Sequence, residues 1–141
     1  IGKPVIVIGG RLVGMETADA LAEQGRQVFL VTKDKLGENG APLERNIYWA
    51  LRDRLIRHGV HLFPDSPLVE ILRNGVYIAY KHELVPLQAE TVVMAVGAVA
   101  NDALWRTLKK EKMEAYAIGD CLEPRDAMEA IREGAEVGRI I

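Results

Sequence analysis

Residues 4–14 read PVIVIGGRLVG, a short apolar run of β-branched residues that breaks into glycines. Such a run is how a parallel strand buried on both faces is written, because neither face can alternate with polar residues. Downstream, the apolar positions Leu12, Val13, Ala18, Leu21 and Ala22 fall at helical spacing over residues 12–24, and Gly25 supplies a stop. QVFLV (27–31) follows as a second buried strand. Strand, glycine turn, helix and strand within about 30 residues form a βαβ unit with a right-handed crossover. The first strand is expected at the centre of the sheet.

The turn frames a G-x-G-x-x-G pattern with one departure. The first glycine permits the tight bend, the second lets the backbone approach a diphosphate, and the third lets helix and strand pack closely. Gly9 and Gly14 fill the first and third positions, and Arg11 stands in the second. A β-carbon there takes space a diphosphate would use, and a positive φ would suit arginine poorly. Against that, the helix start through Gly10, Leu12 and Val13 offers free N–H groups and a partial positive charge, to which Arg11 can add a guanidinium. Altered binding and lost binding of a dinucleotide both stay open.

NAD-using folds place an acid at the end of the second strand to hold the ribose hydroxyls. This chain has Thr32 there, then Lys33, Asp34 and Lys35. The lysines either suit the 2′-phosphate of NADP or are solvated loop charges.

Farther along, KLGENGAP (35–42) reads as a loop, residues 43–58 as a second helix carrying Ile47, Leu51 and Leu55, and VHLF (60–63) as a third strand. From 68 to 87 the pattern becomes an antiparallel meander laid over the parallel sheet. Asn74-Gly75 is its first turn, both positions taking positive φ, and KHE (81–83) is a second polar break. TVVMAVG (91–97) is again a buried strand. ALWRTLKKEK is a short amphipathic stretch, AYAIGD (115–120) a last strand, and residues 125–141 a final helix burying Met128, Ile131, Ala135 and Val137. The fold class is therefore α/β, a Rossmann-like parallel sheet with an antiparallel β-meander, of the FAD/NAD(P)-binding domain type.

The totals agree with one soluble core. The 141 residues are 49% hydrophobic and 27% charged with a formal net charge of −2, which gives no electrostatic case for nucleic acid or an anionic membrane as partner. No apolar run approaches the roughly 20 residues that cross a bilayer. One cysteine, Cys121, excludes an internal disulfide or a four-cysteine cluster and fits a reducing, cytoplasmic setting. A start at Ile1 points to a piece of something longer.

His58, His61 and His82 show no ligand spacing, so no metal is expected, and the histidines are read as surface or strand-end residues. Cys121 is either a thiol activated by the last helix or a packed small residue. Trp49 and Trp105 read as core or domain-contact residues, Arg125 and Arg132 as solvated charges. No triad or carboxylate pair has a recognisable frame, so no residue is assigned a catalytic role.

Three segments carry a family resemblance: VIVIGGRLVGMETADALAEQGRQVFLV (5–31), TVVMAVGAVAND (91–102) and AYAIGDCLEPRDAMEAIREGAEVGRII (115–141). Together they resemble the C-terminal region of the NADH:flavin oxidoreductases related to 2,4-dienoyl-CoA reductase and trimethylamine dehydrogenase. The resemblance implies a barrel with FMN, a four-cysteine iron–sulfur cluster, and an FAD domain into which an NAD(P) domain is inserted. On that plan residues 1–101 are the NAD(P)-binding-like Rossmann domain, and 102–141 are a linker and the returning strand and helix of the FAD domain.

The resemblance further implies that Glu16 lies near the nicotinamide and that Gly97 marks the crossing between domains. It also implies that Gly119 and Asp120 approach the FAD, which only the full-length protein would bind. Residue by residue, plainer roles compete: Glu16 as a first-turn helix acid, Asp120 as the N-cap of the last helix. Arg11, Thr32 and Ala100, where relatives usually have proline, depart from the family pattern. The implied function is to bind NAD(P)H and present it to FAD for hydride transfer, with a degenerate structural or ADP-binding module as the alternative. The partners are then a dinucleotide, the remaining domains of the flavoenzyme, and a second copy of the fragment through surface those domains would cover.

Overall fold

The computed structural model describes residues 4–36 and 42–141, and the side chains within them apart from 42–46. Most of the expected loop at 35–42 lies outside the described residues. The described chain divides into two compact units, Ile1–Val96 and Gly97–Ile141.

In the first unit, β1 (Val5–Ile8), β2 (Val28–Val31), β3 (His61–Phe63) and β7 (Thr91–Met94) form a parallel sheet in the order β3-β2-β1-β7. β1 pairs with β2 from Val5↔Val28 to Ile8↔Val31, and with β7 from Val5↔Thr91 to Ile8↔Met94. The crossovers are α1 (Leu12–Glu23) and α2 (Pro42–Arg57). β4 (Leu68–Leu72), β5 (Gly75–Tyr80) and β6 (Glu83–Gln88) form a separate antiparallel sheet.

Strand alternation sorts the core into two layers. Val5, Val7, Val28 and Leu30 meet Met15 and Ala18 of α1 and Leu51 and Leu55 of α2. Ile6, Ile8 and Val31 turn the other way and meet Val76 and Ile78 of the meander. Ile6, Leu30, Leu55 and Ile78 are wholly buried, each stabilising the fold by about 1.5–3 kcal/mol relative to exposure. α1 ends where expected: Gly25 takes φ +78°, and its N–H donates to the Ala22 carbonyl.

Several expectations are corrected here. Val13 and Ile47 point outward, and Asp19 takes a buried place on α1 that an apolar pattern does not mark. β7 lies at the sheet edge, with Thr91 and Met94 exposed, since β1 covers it on one side only. The first hairpin pairs Leu72 with Gly75, so its central residues are Arg73 and Asn74, neither at positive φ; Gly75 alone takes φ +148°. Positive φ at both central positions occurs instead at Lys81 (51°) and His82 (68°), between the paired Tyr80 and Glu83. Trp49 is exposed, edge-on to Tyr48, and is not core.

The second unit contains α3 (Ala103–Lys110), a 3-10 turn at Gly119–Cys121 and α4 (Ala127–Val137). AYAI is no strand, although Ile118 is extended, because a strand needs a neighbour to share its hydrogen bonds and none flanks it among the described residues. Met128, Ile131 and Ala135 face outward and Val137 is half-buried. The buried residue of α4 is Glu133.

Candidate functional site

The opening turn is built by its glycines. Gly9 sits at φ +125°, and a β-carbon on it would collide with the Ala95 carbonyl oxygen on β7's trailing end. A β-carbon on Gly14 would collide with the Gly9 carbonyl oxygen, and one on Gly10 would lie 2.7 Å from the Thr32 side chain. The turn is thus pressed between the ends of β2 and β7, and only hydrogen at these three positions permits it.

Arg11 corrects one expectation. It is the N-cap of α1 at φ −86° and ψ −178°, extended backbone that any residue adopts, so no positive φ is asked of it. The residue is exposed. The first bond of the helix runs from the Met15 N–H to the Arg11 carbonyl, which leaves the N–H groups of Leu12, Val13 and Gly14 as the donors of the first turn. That turn holds no acid, so no carboxylate competes with an anion for the helix's positive end. Glu16 is the fifth residue of α1 and exposed, beyond the first turn, and the first-turn role fails for it.

Thr32 is pinned where a ribose-binding acid would stand. Its N–H donates to the Phe63 carbonyl at 3.0 Å, its carbonyl accepts from the Ser66 N–H at 2.8 Å, and its Oγ1 accepts from the Asp34 N–H at 3.4 Å. It is buried beneath the missing side chain of Gly10. Lys33 and Lys35 are exposed just beyond it. Past the carboxyl ends of β2 and β3 opens a cleft of about 440 Å³ whose lining includes Lys35, Tyr48, Arg52, Leu62 and Tyr80. Burial pushes the Tyr48 phenol up, partly countered by the Arg52 guanidinium.

Two constellations escaped the sequence reading. Asp19 of α1 accepts from Arg54 Nη2 at 2.6 Å and lies 3.1 Å from His58 Nδ1, while Arg54 also reaches Glu23 at 2.5 Å. Asp19, Glu23 and His58 bring their donor atoms within 4.8 Å of one another, but the guanidinium already bridges the two carboxylates. The i, i+4 spacing of Asp19 and Glu23 on α1 against Arg54 near the end of α2 and His58 just past it was the available signal.

In the second unit, Gly119 takes φ +58° and donates its N–H to Glu133 Oε2 at 2.7 Å. Arg125 Nη2 donates to the other oxygen of the same carboxylate. The Gly119 amide, then Arg125, hold the Glu133 carboxyl below the ordinary carboxylate range against the opposing effect of burial. Arg125 is accordingly no plain solvated charge, and Arg132 is paired with Glu129 and Glu136 at 2.6 Å each. Asp120 is exposed and is not the cap of α4. The N-cap of α4 is Asp126, whose carboxylate accepts from the Glu129 N–H at 2.9 Å. Cys121 lies in the 3-10 turn, outside the mouth of that helix. Gly97 takes φ +111° at the boundary of the two units.

Residues 1–134 match the family model described as pyridine nucleotide-disulphide oxidoreductase. Among curated relatives, a bilirubin reductase of Mediterraneibacter gnavus is 33% identical over 92% of this chain and 20% of its own length. A metal reductase of Desulforamulus reducens is 28% identical over 94% of this chain and 24% of its own. Among solved structures, a 2-naphthoyl-CoA reductase in complex with 2-naphthoyl-CoA superposes with a TM-score of 0.87 at 31% identity, over the whole of this chain and 21% of that one. The chain thus spans about a fifth to a quarter of the length of the proteins it matches. Among the described residues no helix is long and apolar enough to cross a membrane.

Proposed function

From the premise that this chain belongs to the pyridine nucleotide-disulphide oxidoreductase family, whose members bind FAD and NAD(P), we propose that it is the part of a flavin-dependent oxidoreductase that takes up NAD(P)H and presents it to FAD. Residues 1–101 form the NAD(P) half on this reading and 102–141 return to the FAD domain. FAD itself, and the FMN and iron–sulfur cluster of the implied barrel, belong to the full-length protein, working in the cytoplasm.

One observation carries the reading: the Gly9–Gly14 turn delivers the acid-free N-terminus of α1, and Arg11 enters it in an unstrained extended conformation. The residues therefore fit a dinucleotide. The first-turn amides of Leu12, Val13 and Gly14 would hold its diphosphate, with the Arg11 guanidinium neutralising charge that main-chain groups alone meet elsewhere. Bound reduced nicotinamide supplies the hydride, and this chain's share is position and electrostatics. With Thr32 buried and carboxylate-free, the ribose anchor of NADH is missing. Exposed Lys33, with Lys35 near it, favours the extra phosphate of NADPH.

Calorimetry tests this directly. NADPH is expected to bind more tightly than NADH, and Lys33→Glu to weaken NADPH about tenfold with little change for NADH. No heat with either dinucleotide at millimolar concentration overturns the proposal.

A second reading has its own support in the same departures, Arg11 for glycine and Thr32 for an acid: a scaffold or ADP-binding module that no longer handles a nicotinamide. On this reading the double change Arg11→Gly and Thr32→Glu creates NADH affinity that the parent lacks. Tight NADPH binding by the parent removes it.

A further inference from the structure

We propose that Glu133 is a positioning residue of the flavin half-site, using its carboxylate to hold the backbone of the Gly119–Asp120 turn in the shape a flavin nucleotide would meet. The proposal rests on the reading above that this turn approaches FAD in the full-length enzyme.

Three features converge. Gly119 stands at φ +58°, a left-handed conformation, and is buried with its missing side chain 3.2 Å from Ala130 Cβ on α4. A turn so placed cannot pair its amide within a strand, because AYAI has no partner strand among the described residues. Glu133 supplies the missing acceptor at 2.7 Å, reaching back 14 residues along the chain from α4.

Its second oxygen takes Arg125, so a carboxylate that is almost wholly buried is satisfied on both sides. Arg125 in turn contacts Glu129 at 3.5 Å, which ties the clamp to the first turn of the helix. The groups facing Glu133 are therefore the Gly119 amide, Arg125 and, at longer range, Arg132. Glu133 acts through Gly119, and Asp120 beside it stays exposed.

The test uses the longer flavoenzyme containing this segment, with FAD affinity and the visible spectrum of bound flavin read together. Asp120→Ala, Glu133→Ala, Glu133→Gln and Arg125→Gln are compared. Glu133→Ala is expected to lower FAD affinity at least tenfold and to shift the flavin spectrum. Glu133→Gln recovers much of the loss, since its amide oxygen still accepts from Gly119, and Arg125→Gln falls between.

If Glu133→Ala does not fold, the two glutamine variants carry the comparison, both weakening FAD measurably. A drop with Asp120→Ala but unchanged affinity and spectrum in every Glu133 and Arg125 variant overturns the positioning role alone. Unchanged affinity in all four, Asp120→Ala included, removes the underlying reading that this turn meets FAD.

Discussion

The two units keep their shape by different means. Every buried hydrophobic side chain among the described residues lies between Val5 and Ala89, in the first unit, where two layers of aliphatic residues enclose a parallel sheet. The second unit buries only Gly119 and Glu133 in its described elements, and leaves Leu104, Met128, Ile131 and Ile140 outside. Its order comes from helix capping and a chain of carboxylate–guanidinium contacts. The first unit is stabilised by apolar area. The second carries apolar area without covering it.

The sharpest way to break this contrast is to delete a large aliphatic side chain in each unit. Leu55→Ala, at a wholly buried position between α2 and the sheet, is expected to cost about 2–5 kcal/mol in urea unfolding followed by circular dichroism. Ile131→Ala, at 71% exposure, is expected to change stability by less than about 0.5 kcal/mol. Comparable losses would mean that the second unit has a core of its own. The exposed set also predicts concentration-dependent self-association through residues 102–141, checked by light scattering and weakened by Ile131→Lys.

Next comes the turn that joins core to candidate site. Gly14→Ala sets a β-carbon against the Gly9 carbonyl and is expected to lower stability by about 1–3 kcal/mol. Under the proposed function it should also abolish NADPH binding in calorimetry as α1 moves off. Arg11→Ala leaves the Gly9–Gly14 main-chain packing in place, so binding is expected to fall with a smaller thermal loss than Gly14→Ala causes. Equal thermal losses for the two variants would show that Arg11 shapes the turn.

Much of this was legible in the chain itself, and what was missed has a common physical origin. PVIVIGG and QVFLV announced buried parallel strands because both faces are apolar, and Gly9 and Gly14 announced the turn because no other residue fits. Edges and outward faces were not legible: TVVM reads like the inner strands, and only the sheet order shows that one side is bare. AYAIGD reads as a strand because strand-forming residues say nothing about whether a neighbour exists. The primed turn at Lys81-His82 was hidden since neither residue favours positive φ, and Asn74-Gly75 drew attention to the wrong pair. Within the candidate site, the burial of Thr32 and the clamp on Gly119 depend on contacts across 22 and 14 residues, which no local pattern encodes.

A smaller effect separates the charged clusters of the two units. Asp19 is buried and paired with Arg54 and His58, and Arg54 is itself 45% exposed. Asp19→Asn keeps the shape and removes the charge, so the expected loss is about 1 kcal/mol after solvent screening. Urea unfolding in low and high salt measures it, and a loss unaffected by salt would assign the effect to packing.

The subtlest expectation concerns acid. Glu133 is held below the usual carboxylate range chiefly by the Gly119 amide, while Arg125 is pushed up by the same carboxylate and stays protonated throughout. A depressed folded-state pKa means that the ionised clamp contributes its full stability above the ordinary value of 4.5, and loses it as pH falls through the lower folded-state value. Between those limits the Gly119 amide signal in nuclear magnetic resonance should move with pH and Glu133→Gln should freeze it. Signals of Ile6 and Leu30, enclosed by uncharged side chains, should stay still over the same range. A Gly119 signal that titrates at the ordinary carboxylate value would show that the clamp is solvated, and the second unit would then lack the one buried contact that sets it apart from a bare helix and turn.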